Sequence, residues 1–236
     1  MINQNYKRVI ERINQKAVSV GRDPGAIKLV VVTKGHPVEA VESVIAAGAT
    51  IVGENYVEEA LTKIGAVGDT TPVEWHMIGH VQSRKARAVC ESFSYLHSLD
   101  SLKLARRLDR FSRENGHILP VLLECNVSGE ESKHGWAAWQ EEKWPELLPD
   151  VEQLLALPNI QVKGLMTMPP YSETPEHSRP YFQVLMALSS FFADHYPQTD
   201  WEELSMGMST DFEISIEEGA TMLRVGTEIM GPRPPR

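Results

Sequence analysis

The chain has 236 residues and a formal net charge of −9 at pH 7. That charge would repel a phosphodiester backbone, so we expect no nucleic-acid partner. Apolar residues make up 42% and charged residues 23%, which is typical of a folded globular protein. No apolar run approaches the roughly 20 residues that span a bilayer, and the first twelve residues do not resemble a signal peptide. We therefore expect a cytoplasmic protein without membrane contact.

The cysteines and histidines do not suggest a metal site. Cys90 and Cys125 lie far apart, and neither belongs to a Cys-x-x-Cys motif. His76 and His80 are four residues apart, but the sequence between them leaves a strand for a loop, so the two side chains do not share a helix face. We predict two buried thiols and no bound metal.

Short apolar, β-branched runs recur along the chain and predict eight strands. Their continuous hydrophobic character is typical of parallel strands that are covered on both faces. The predicted strands are Lys28–Thr33, Thr50–Gly53, Glu74–Ile78, Tyr95–Leu99, Pro120–Asn126, Val162–Met168, Trp201–Met206 and Met222–Val225.

Helix-like segments separate these strands. They are Val38–Ala47, Val57–Ile64, Ser83–Cys90, Ser101–Asn115, Trp139–Leu157, Pro175–His195 and Ile214–Glu218. An additional amphipathic helix, about Gln4 to Val20, precedes the first strand and should flank the sheet. Its apolar face would consist of Val9, Ile10, Ile13, Ala17 and Val20.

The regular alternation of strand and helix predicts an α/β fold, either a closed barrel or an open doubly wound sheet. Eight units favour a single TIM-like (β/α)₈ barrel over residues 1–230. The Gly-x-Gly-x-x-Gly motif of the open sheet is absent after the first strand. The Pro- and Arg-rich residues 231–236 should form a loose tail.

Lys34 is the first candidate functional residue. It directly follows the apolar run Leu29–Val32 and Thr33, at the end of the predicted barrel where working residues lie. Partial burial there would lower the pKa of the amine and free its lone pair for attack on an aldehyde or ketone. A solvated loop lysine is the alternative.

A second group of candidates follows the seventh and eighth strands. Barrels frequently bind phosphate at these two loops, where small residues expose backbone N–H groups. Ordinary turn and capping chemistry is the alternative explanation for single members of the group. The group consists of Ser205, Gly207, Ser209, Gly226 and Thr227.

Seven stretches of the chain resemble, in order, those of the pyridoxal phosphate homeostasis proteins. They are Val32-Thr-Lys34, Gly53-Glu-Asn-Tyr56, His76-Met-Ile-Gly79, Ser128-Gly-Glu-Glu-Ser-Lys133, Gly164-Leu-Met166, Ser205-Met-Gly-Met-Ser-Thr-Asp211 and Arg224-Val-Gly-Thr227. The chain departs from the pattern after the third strand. His80 stands where many relatives have proline, and Arg84 where they have asparagine.

The resemblance implies a fold like the N-terminal barrel of alanine racemase, with pyridoxal 5'-phosphate (PLP) held as a Schiff base on Lys34. It implies phosphate contacts from Ser209, Gly226 and Thr227, with Ser205 and Gly207 added, and it places Arg224 beside the pyridine nitrogen. Asn55 and Met166 would line the cofactor ring.

Three functions remain open at this point. The first is a PLP-binding protein for intracellular vitamin B6 homeostasis without amino-acid turnover, and this is our prediction. Arg224 supports it, because a guanidinium can only donate and so weakens the electron sink that amino-acid chemistry needs. The chain also ends shortly after Thr227, so we expect a cofactor face open to solvent. The alternatives are a fold-type-III amino-acid racemase and a cofactor-free class I aldolase that uses Lys34.

PLP-dependent apoenzymes are the protein partners that a PLP carrier would serve, and no heptad seam suggests a dimer, so we expect a monomer. Two further groups are predicted to be structural. Glu130, Glu131 and Lys133 fit a solvated charged turn, and three tryptophans fit the packing of a helix against the barrel. These are Trp136, Trp139 and Trp144.

Overall fold

Eight parallel strands close into a barrel in a computed structural model that describes residues 1–68 and 72–233. The ring closes because the first strand pairs with both the second and the ninth, and the fourth pairs with the fifth. A two-residue sixth strand pairs with the fifth outside the ring. The strands are β1 Lys28–Val32, β2 Ile51–Glu54, β3 Glu74–Met77, β4 Tyr95–Leu99, β5 Leu119–Asn126, β6 Trp136–Ala137, β7 Ile160–Met166, β8 Glu203–Ser205 and β9 Met222–Val225.

Helices surround this ring. They are α1 Ile2–Ser19, α2 Val38–Ala46, α3 Val57–Val67, α4 Ala86–Ser92, α5 Leu102–Asn115, α6 Leu148–Leu155, α7 Arg179–His195, α8 Phe212–Glu217 and α9 Thr227–Met230. Short 3₁₀ turns cover Pro24–Ala26, Ser83–Lys85, Glu141–Leu147 and Pro175–Ser178. The predicted fold, a (β/α)₈ barrel with an extra N-terminal helix, is confirmed.

Alternate residues of each strand form two separate layers. The outward-facing residues, such as Val31 on β1 and Leu223 on β9, join the helices in one large apolar cluster. The inward-facing residues form two small apolar clusters, one around Val30 and one around Leu122. Polar side chains occupy the rest of the interior, which makes the barrel core the place where buried chemistry is concentrated.

Helix α1 covers the side of the barrel next to α8 and α9. Val9, Ile13 and Ala17 are fully buried there, whereas Val20 is 39% exposed, so the buried stripe is narrower than the sequence predicts. Arg12 Nε donates to Glu213 Oε1 at 2.8 Å and reinforces the contact with α8. The extra helix is therefore an integral part of the barrel wall.

The main differences from the predicted elements lie after β5. Strand β6 is not predicted, and Trp136 belongs to it rather than to a helix. The helix predicted over Trp139–Leu157 is a 3₁₀ turn that contains Pro145, followed by the shorter α6. Proline lacks an N–H and clashes with the preceding turn, which explains why one long α-helix does not form.

The C-terminal residues return to the barrel. Arg233 lines the cavity at the strand exits, and residues 234–236 of the predicted tail lie outside the described residues. Within residues 1–68 and 72–233, no helix has both the length and the apolar character needed to cross a membrane.

Candidate functional site

A cavity of about 630 Å³ opens at the end of the barrel where the parallel strands finish. Its wall consists of residues that follow β1, β2, β3, β7, β8 and β9, so one open face collects side chains from distant parts of the chain. The lining residues are Val32, Lys34, His36, Asn55, Ile78, Met168, Tyr171, Met208, Ser209, Thr210, Arg224, Gly226, Thr227, Glu228 and Arg233.

Lys34 presents a half-buried amine to this cavity. Burial lowers the pKa of the Lys34 amine, and the nearby positive charges of Arg233 and Arg224 lower it further. Within residues 1–68 and 72–233 its Nζ makes no hydrogen bond or ion pair. A larger share of the amine is therefore neutral, with its lone pair available to an electrophile, than for a solvated lysine.

A buried ion cluster holds the backbone on both sides of Lys34. Lys63 Nζ donates to Thr33 O at 2.8 Å and to Glu54 Oε1 and Glu59 Oε1 at 2.6 Å each. Glu59 Oε1 also accepts from Gly35 N at 2.5 Å. The residues before and after Lys34 are thus bonded to one network, which fixes where the amine points.

Glu54 supplies the buried carboxylate of this ion cluster. Its side chain is fully buried, and burial raises the pKa of the Glu54 carboxyl despite hydrogen bonds from Lys63 and Thr33. Thr33 Oγ1 donates to Glu54 Oε1 at 2.6 Å. Lys63 compensates the buried carboxylate, so this lysine on α3 supports the segment that carries Lys34.

Arg224 reaches the cavity from inside the barrel. The residue is 4% exposed, and its guanidinium donates from Nη1 to Ser205 Oγ at 2.6 Å and from Nη2 to Thr167 O at 2.8 Å. Burial lowers the pKa of Arg224 to about 10, so the group keeps its charge at neutral pH. It is a fixed positive charge in the floor of the cavity.

A chain of hydrogen bonds runs from Arg224 across the barrel interior. Ser205 Oγ lies 2.8 Å from His97 Nδ1, and His97 Nε2 lies 2.9 Å from His76 Nδ1. His76 Nε2 lies 3.2 Å from Glu74 Oε2 at the opposite end of the strands. Burial lowers the pKa of both His97 and His76, which favours neutral imidazoles in each link.

The donor-to-acceptor direction of these hydrogen bonds follows from the two end groups, Arg224 and Glu74. Arginine can only donate and a carboxylate can only accept, so each group between Arg224 and Glu74 must accept from one neighbour and donate to the next. Ser205 therefore donates to His97 Nδ1, and both histidines carry their proton on Nε2. The tautomers are set by the network, not by solvent.

The wall that includes Ser209, Thr210, Gly226 and Thr227 is built around tight backbone turns. Gly207 has φ +90°, and a Cβ there would lie 2.0 Å from Ser215 Oγ, so only glycine fits. Asp211 Oδ1 accepts from Met208 N at 2.6 Å and fixes the same loop. Hydroxyls and small residues thus face Lys34 across one cavity.

Buried oxygen atoms without partners also mark this cavity. Asn55 Oδ1 and Glu228 Oε2 are buried and make no hydrogen bond within residues 1–68 and 72–233. A Cβ on Gly79 would lie 2.5 Å from Asn55 O, so the close approach of the β2 and β3 exits places Asn55 there. An unpartnered amide facing a cavity fits a site that takes a polar ligand.

Six of the nine predicted site residues line the cavity, and three do not. Lys34, Asn55, Ser209, Arg224, Gly226 and Thr227 lie together in its wall. The other three are placed elsewhere: Met166 packs in the barrel interior with Leu122, Ser205 is bonded to Arg224 and His97, and Gly207 lies behind the wall. Met166 and Ser205 end their strands and Gly207 lies in the loop after β8, and contact of these three with a ligand stays a prediction.

Sequence reasoning missed several contributors. His97, His76 and Lys63 lie on elements without a motif for a ligand, and only folding brings them next to Arg224 and the Lys34 segment. Arg233 belongs to a tail that was predicted to be loose. The pair Glu59 and Lys63, spaced i,i+4 on a helix, was a detectable signal of an ion pair.

The other groups singled out in the sequence have structural partners. Lys133 Nζ bonds Glu130 Oε2 at 2.5 Å and Met168 O at 2.9 Å, so the charged turn is tied to the barrel rim. Trp136 and Trp144 are buried, and their Nε1 atoms donate to backbone carbonyls at 3.0 Å. Trp139 is 45% exposed. His76 points into the barrel and His80 into a loop cluster, so the pair does not meet.

A closed barrel with a lysine after the first strand and hydroxyls after the last two places the chain with the alanine racemase N-terminal domains, whose family model matches residues 4–234. Curated relatives narrow the assignment. A pyridoxal phosphate homeostasis protein from Aquifex aeolicus is 40% identical over 98% of this chain and 97% of its own length, and one from Escherichia coli is 38% identical over the same shares. The chain belongs to the pyridoxal phosphate homeostasis protein family.

Solved structures agree with this placement. PipY from Synechococcus elongatus, solved with PLP bound, is 34% identical, has a TM-score of 0.80 and is matched over 93% of this chain and 100% of its own. An alanine racemase from Clostridium difficile has a TM-score of 0.71 at 15% identity and is matched over 58% of its length. At that identity the second likeness concerns the fold alone.

Proposed function

We propose that this protein binds PLP in the 630 Å³ cavity, attached covalently to Lys34 Nζ, and holds it for intracellular homeostasis without amino-acid turnover. The observation that carries the proposal is Lys34 itself, an amine with a lowered pKa and no protein partner within the described ranges, facing a cavity. The PLP bound to PipY and the names of the curated relatives support the same ligand.

The residues of the cavity fit the three functional parts of PLP. When bound, PLP supplies an aldehyde that an amine can attack, and Lys34 is the amine on the wall. Ser209, Gly226 and Thr227 would receive the phosphate with hydroxyl and backbone donors. Arg224 would face the pyridine nitrogen as a permanent donor, held in place by Ser205.

A carrier is favoured over an enzyme by the fixed charge of Arg224. A guanidinium beside the ring nitrogen keeps that nitrogen unprotonated, and an unprotonated ring is a weak electron sink. Behind Arg224, the protons of Ser205, His97 and His76 are all donated away from the cavity, so these groups supply no proton to a ligand there. The same groups that bind the cofactor therefore do little to activate it.

A second candidate function, amino-acid racemisation, is favoured by one specific residue. Tyr171 lines the cavity and is 80% exposed, so its phenol is free to act as a second acid–base group beside Lys34. Prolonged incubation with single L-amino acids tests this function. Appearance of the D-isomer that Tyr171→Phe abolishes would replace the carrier proposal with the racemase.

The attachment is tested by absorbance and mass spectrometry of protein incubated with PLP. We expect a visible band that borohydride bleaches, with the reduced cofactor on the peptide that contains Lys34. Lys34→Ala should abolish the band, and the control Lys103→Ala, on the outer surface of α5, should leave it unchanged. A band that persists in Lys34→Ala would refute the attachment site, and absence of any PLP binding would favour the cofactor-free aldolase.

The proposal includes transfer of PLP to PLP-dependent apoenzymes and a monomeric working unit. Light scattering of the PLP-loaded protein tests the oligomeric state. Activation of an added apoenzyme faster than the spontaneous release of PLP would establish direct transfer, whereas equal rates would limit the role to buffering free cofactor.

A further inference from the structure

Three side chains of the types that ligate metal ions converge at the barrel rim outside the cavity that Lys34 lines. His80 follows β3, Asp100 directly follows β4, and His134 lies between β5 and β6. One ligand atom from each lies within 4.8 Å of the other two. They border a second depression of about 410 Å³, whose lining shares no residue with the larger cavity.

The three side chains lie close enough together to share one ion. His80 Nδ1 lies 2.9 Å from Asp100 Oδ2, and the rings of His80 and His134 stack with centroids 4.0 Å apart and planes inclined by 14°. Ligand atoms around a tetrahedral zinc lie roughly 3.3 Å apart. His80 and His134 are both exposed and can change rotamer, which is the movement that binding would require.

Supporting contacts hold the carboxylate. Ser101 Oγ donates to Asp100 Oδ1 at 3.0 Å and accepts from Leu104 N at 3.3 Å, so the N-cap of α5 orients Asp100. Its side chain is only 13% exposed. Metal sites characteristically have such outer contacts, which keep the ligand oriented before the ion arrives.

Supporting contacts also hold the loop of His134. Gly135 has φ +109°, and a Cβ there would lie 2.4 Å from Glu124 O, so the loop presses on the barrel rim at a position that only glycine can take. Asn126 Oδ1 accepts from Ser128 N at 3.1 Å and Gly129 N at 3.0 Å. The nearby Lys133 ammonium is paired with Glu130, so its charge is partly compensated.

We propose that His80, Asp100 and His134 bind a divalent transition-metal ion, with Zn²⁺ as the best-fitting ion. Two imidazole nitrogens and one carboxylate oxygen form a ligand set that zinc takes with a fourth position left for water. The ion would join the loops that follow β3, β4 and β5. This site is independent of the PLP proposal, because its residues and its depression are separate from the Lys34 cavity.

Titration of Zn²⁺ into the full-length, untagged, chelator-treated protein tests the site by calorimetry. We expect one ion per chain, and weakening of binding in His80→Ala, His134→Ala and Asp100→Asn by more than the roughly 10–100-fold effect of losing an outer contact. The control His195→Ala, at the exposed end of α7, should bind as the parent does. The buried thiols of Cys90 and Cys125 are not competing ligands.

Two further readouts separate the site from adventitious binding. Co²⁺ should give the visible bands of a tetrahedral complex with the parent and not with the double variant His80→Ala/His134→Ala. Zn²⁺ should raise the melting temperature of the parent only, because binding favours the native state. The proposal is overturned if the folded double variant binds Zn²⁺ with the affinity of the parent, or if the parent binds none.

Discussion

Arg224 Nη1 donates to Ser205 Oγ over 2.6 Å in the barrel interior, and Ser205 in turn has His97 Nδ1 at 2.8 Å. One hydroxyl therefore links the fixed charge of the cavity floor to a buried imidazole. Because the Glu74 carboxylate at the far end can only accept, neutral His76 and His97 must each donate from Nε2, and Ser205 must donate its one proton to His97. Ser205 is thus the side chain through which Arg224 and His97 are joined.

Ser205→Ala removes this link. The buried guanidinium loses an acceptor and His97 Nδ1 loses its donor, so we expect the free energy of unfolding to fall by about 1–3 kcal/mol. Urea denaturation measures the loss. Ser43→Ala on the exposed face of α2 is the matched control and should change stability little. Equal stability of the two variants would show that the Ser205 bonds are dispensable.

Lys63→Met should be more damaging. It leaves Glu54 buried without its charged partner, and such a loss typically costs about 3–5 kcal/mol. Adding Glu54→Gln removes the orphaned charge and should restore part of the stability. We also expect slower attachment of PLP in Lys63→Met, since Thr33 and Gly35 lose their common anchor. Unfolding curves of the single and double variants test the coupling, and simple additivity would contradict it.

His97 should make the protein less stable in acid. Its pKa in the folded protein lies well below the usual 6.5, so the unfolded chain takes up a proton that the folded protein refuses. The stabilisation is complete above pH 6.5 and is lost as the pH falls toward the folded pKa, with a slope of up to about 1.4 kcal/mol per pH unit. His97→Gln should lack this pH-dependent part of the free energy of unfolding, which is measured by unfolding the variant and the parent at a series of pH values below 6.5. Parallel pH profiles would refute it.

Glu124 should produce the opposite trend. Burial raises its pKa from 4.5 to about 7, so the folded protein holds a proton that the unfolded chain releases. The stabilisation is present below pH 4.5 and is lost as the pH rises to about 7, by about 3 kcal/mol in all. Glu124→Gln should be insensitive over this window, measured by urea unfolding with chelator present. If the difference in free energy of unfolding between the parent and Glu124→Gln does not change with pH, the shifted pKa is contradicted.

Retention of PLP should depend on the two hydroxyls of the proposed phosphate wall. Ser209→Ala and Thr227→Val each remove one donor, and we expect each to weaken retention by about 1 kcal/mol. Thr62→Val, on the exposed surface of α3, is the control and should retain PLP as the parent does. Equilibrium dialysis of loaded protein measures the effect. Unchanged retention in both wall variants would show that the phosphate binds elsewhere in the cavity.

The sequence by itself determined the architecture and the family. Eight β-branched runs in regular alternation with amphipathic segments predict an α/β fold and favour a closed barrel, because the periodicity of burial is a local property of each segment. Lys34, Ser209, Gly226 and Thr227 were identifiable as cavity residues because strand exits in such a barrel share one face. These features depend on position along a strand and not on which distant residue lies opposite.

The tertiary structure alone decided the partners of each charge. His80 and His134 are separated by more than fifty residues, and their stacking beside Asp100 results from the order in which the strands close the ring. Likewise, Ser205 was predicted to contact phosphate but accepts a hydrogen bond from Arg224. Lys63, on the neighbouring helix α3, bonds the backbone next to Lys34. Long-range contacts depend on side-chain direction and close packing, which no local pattern in the sequence encodes.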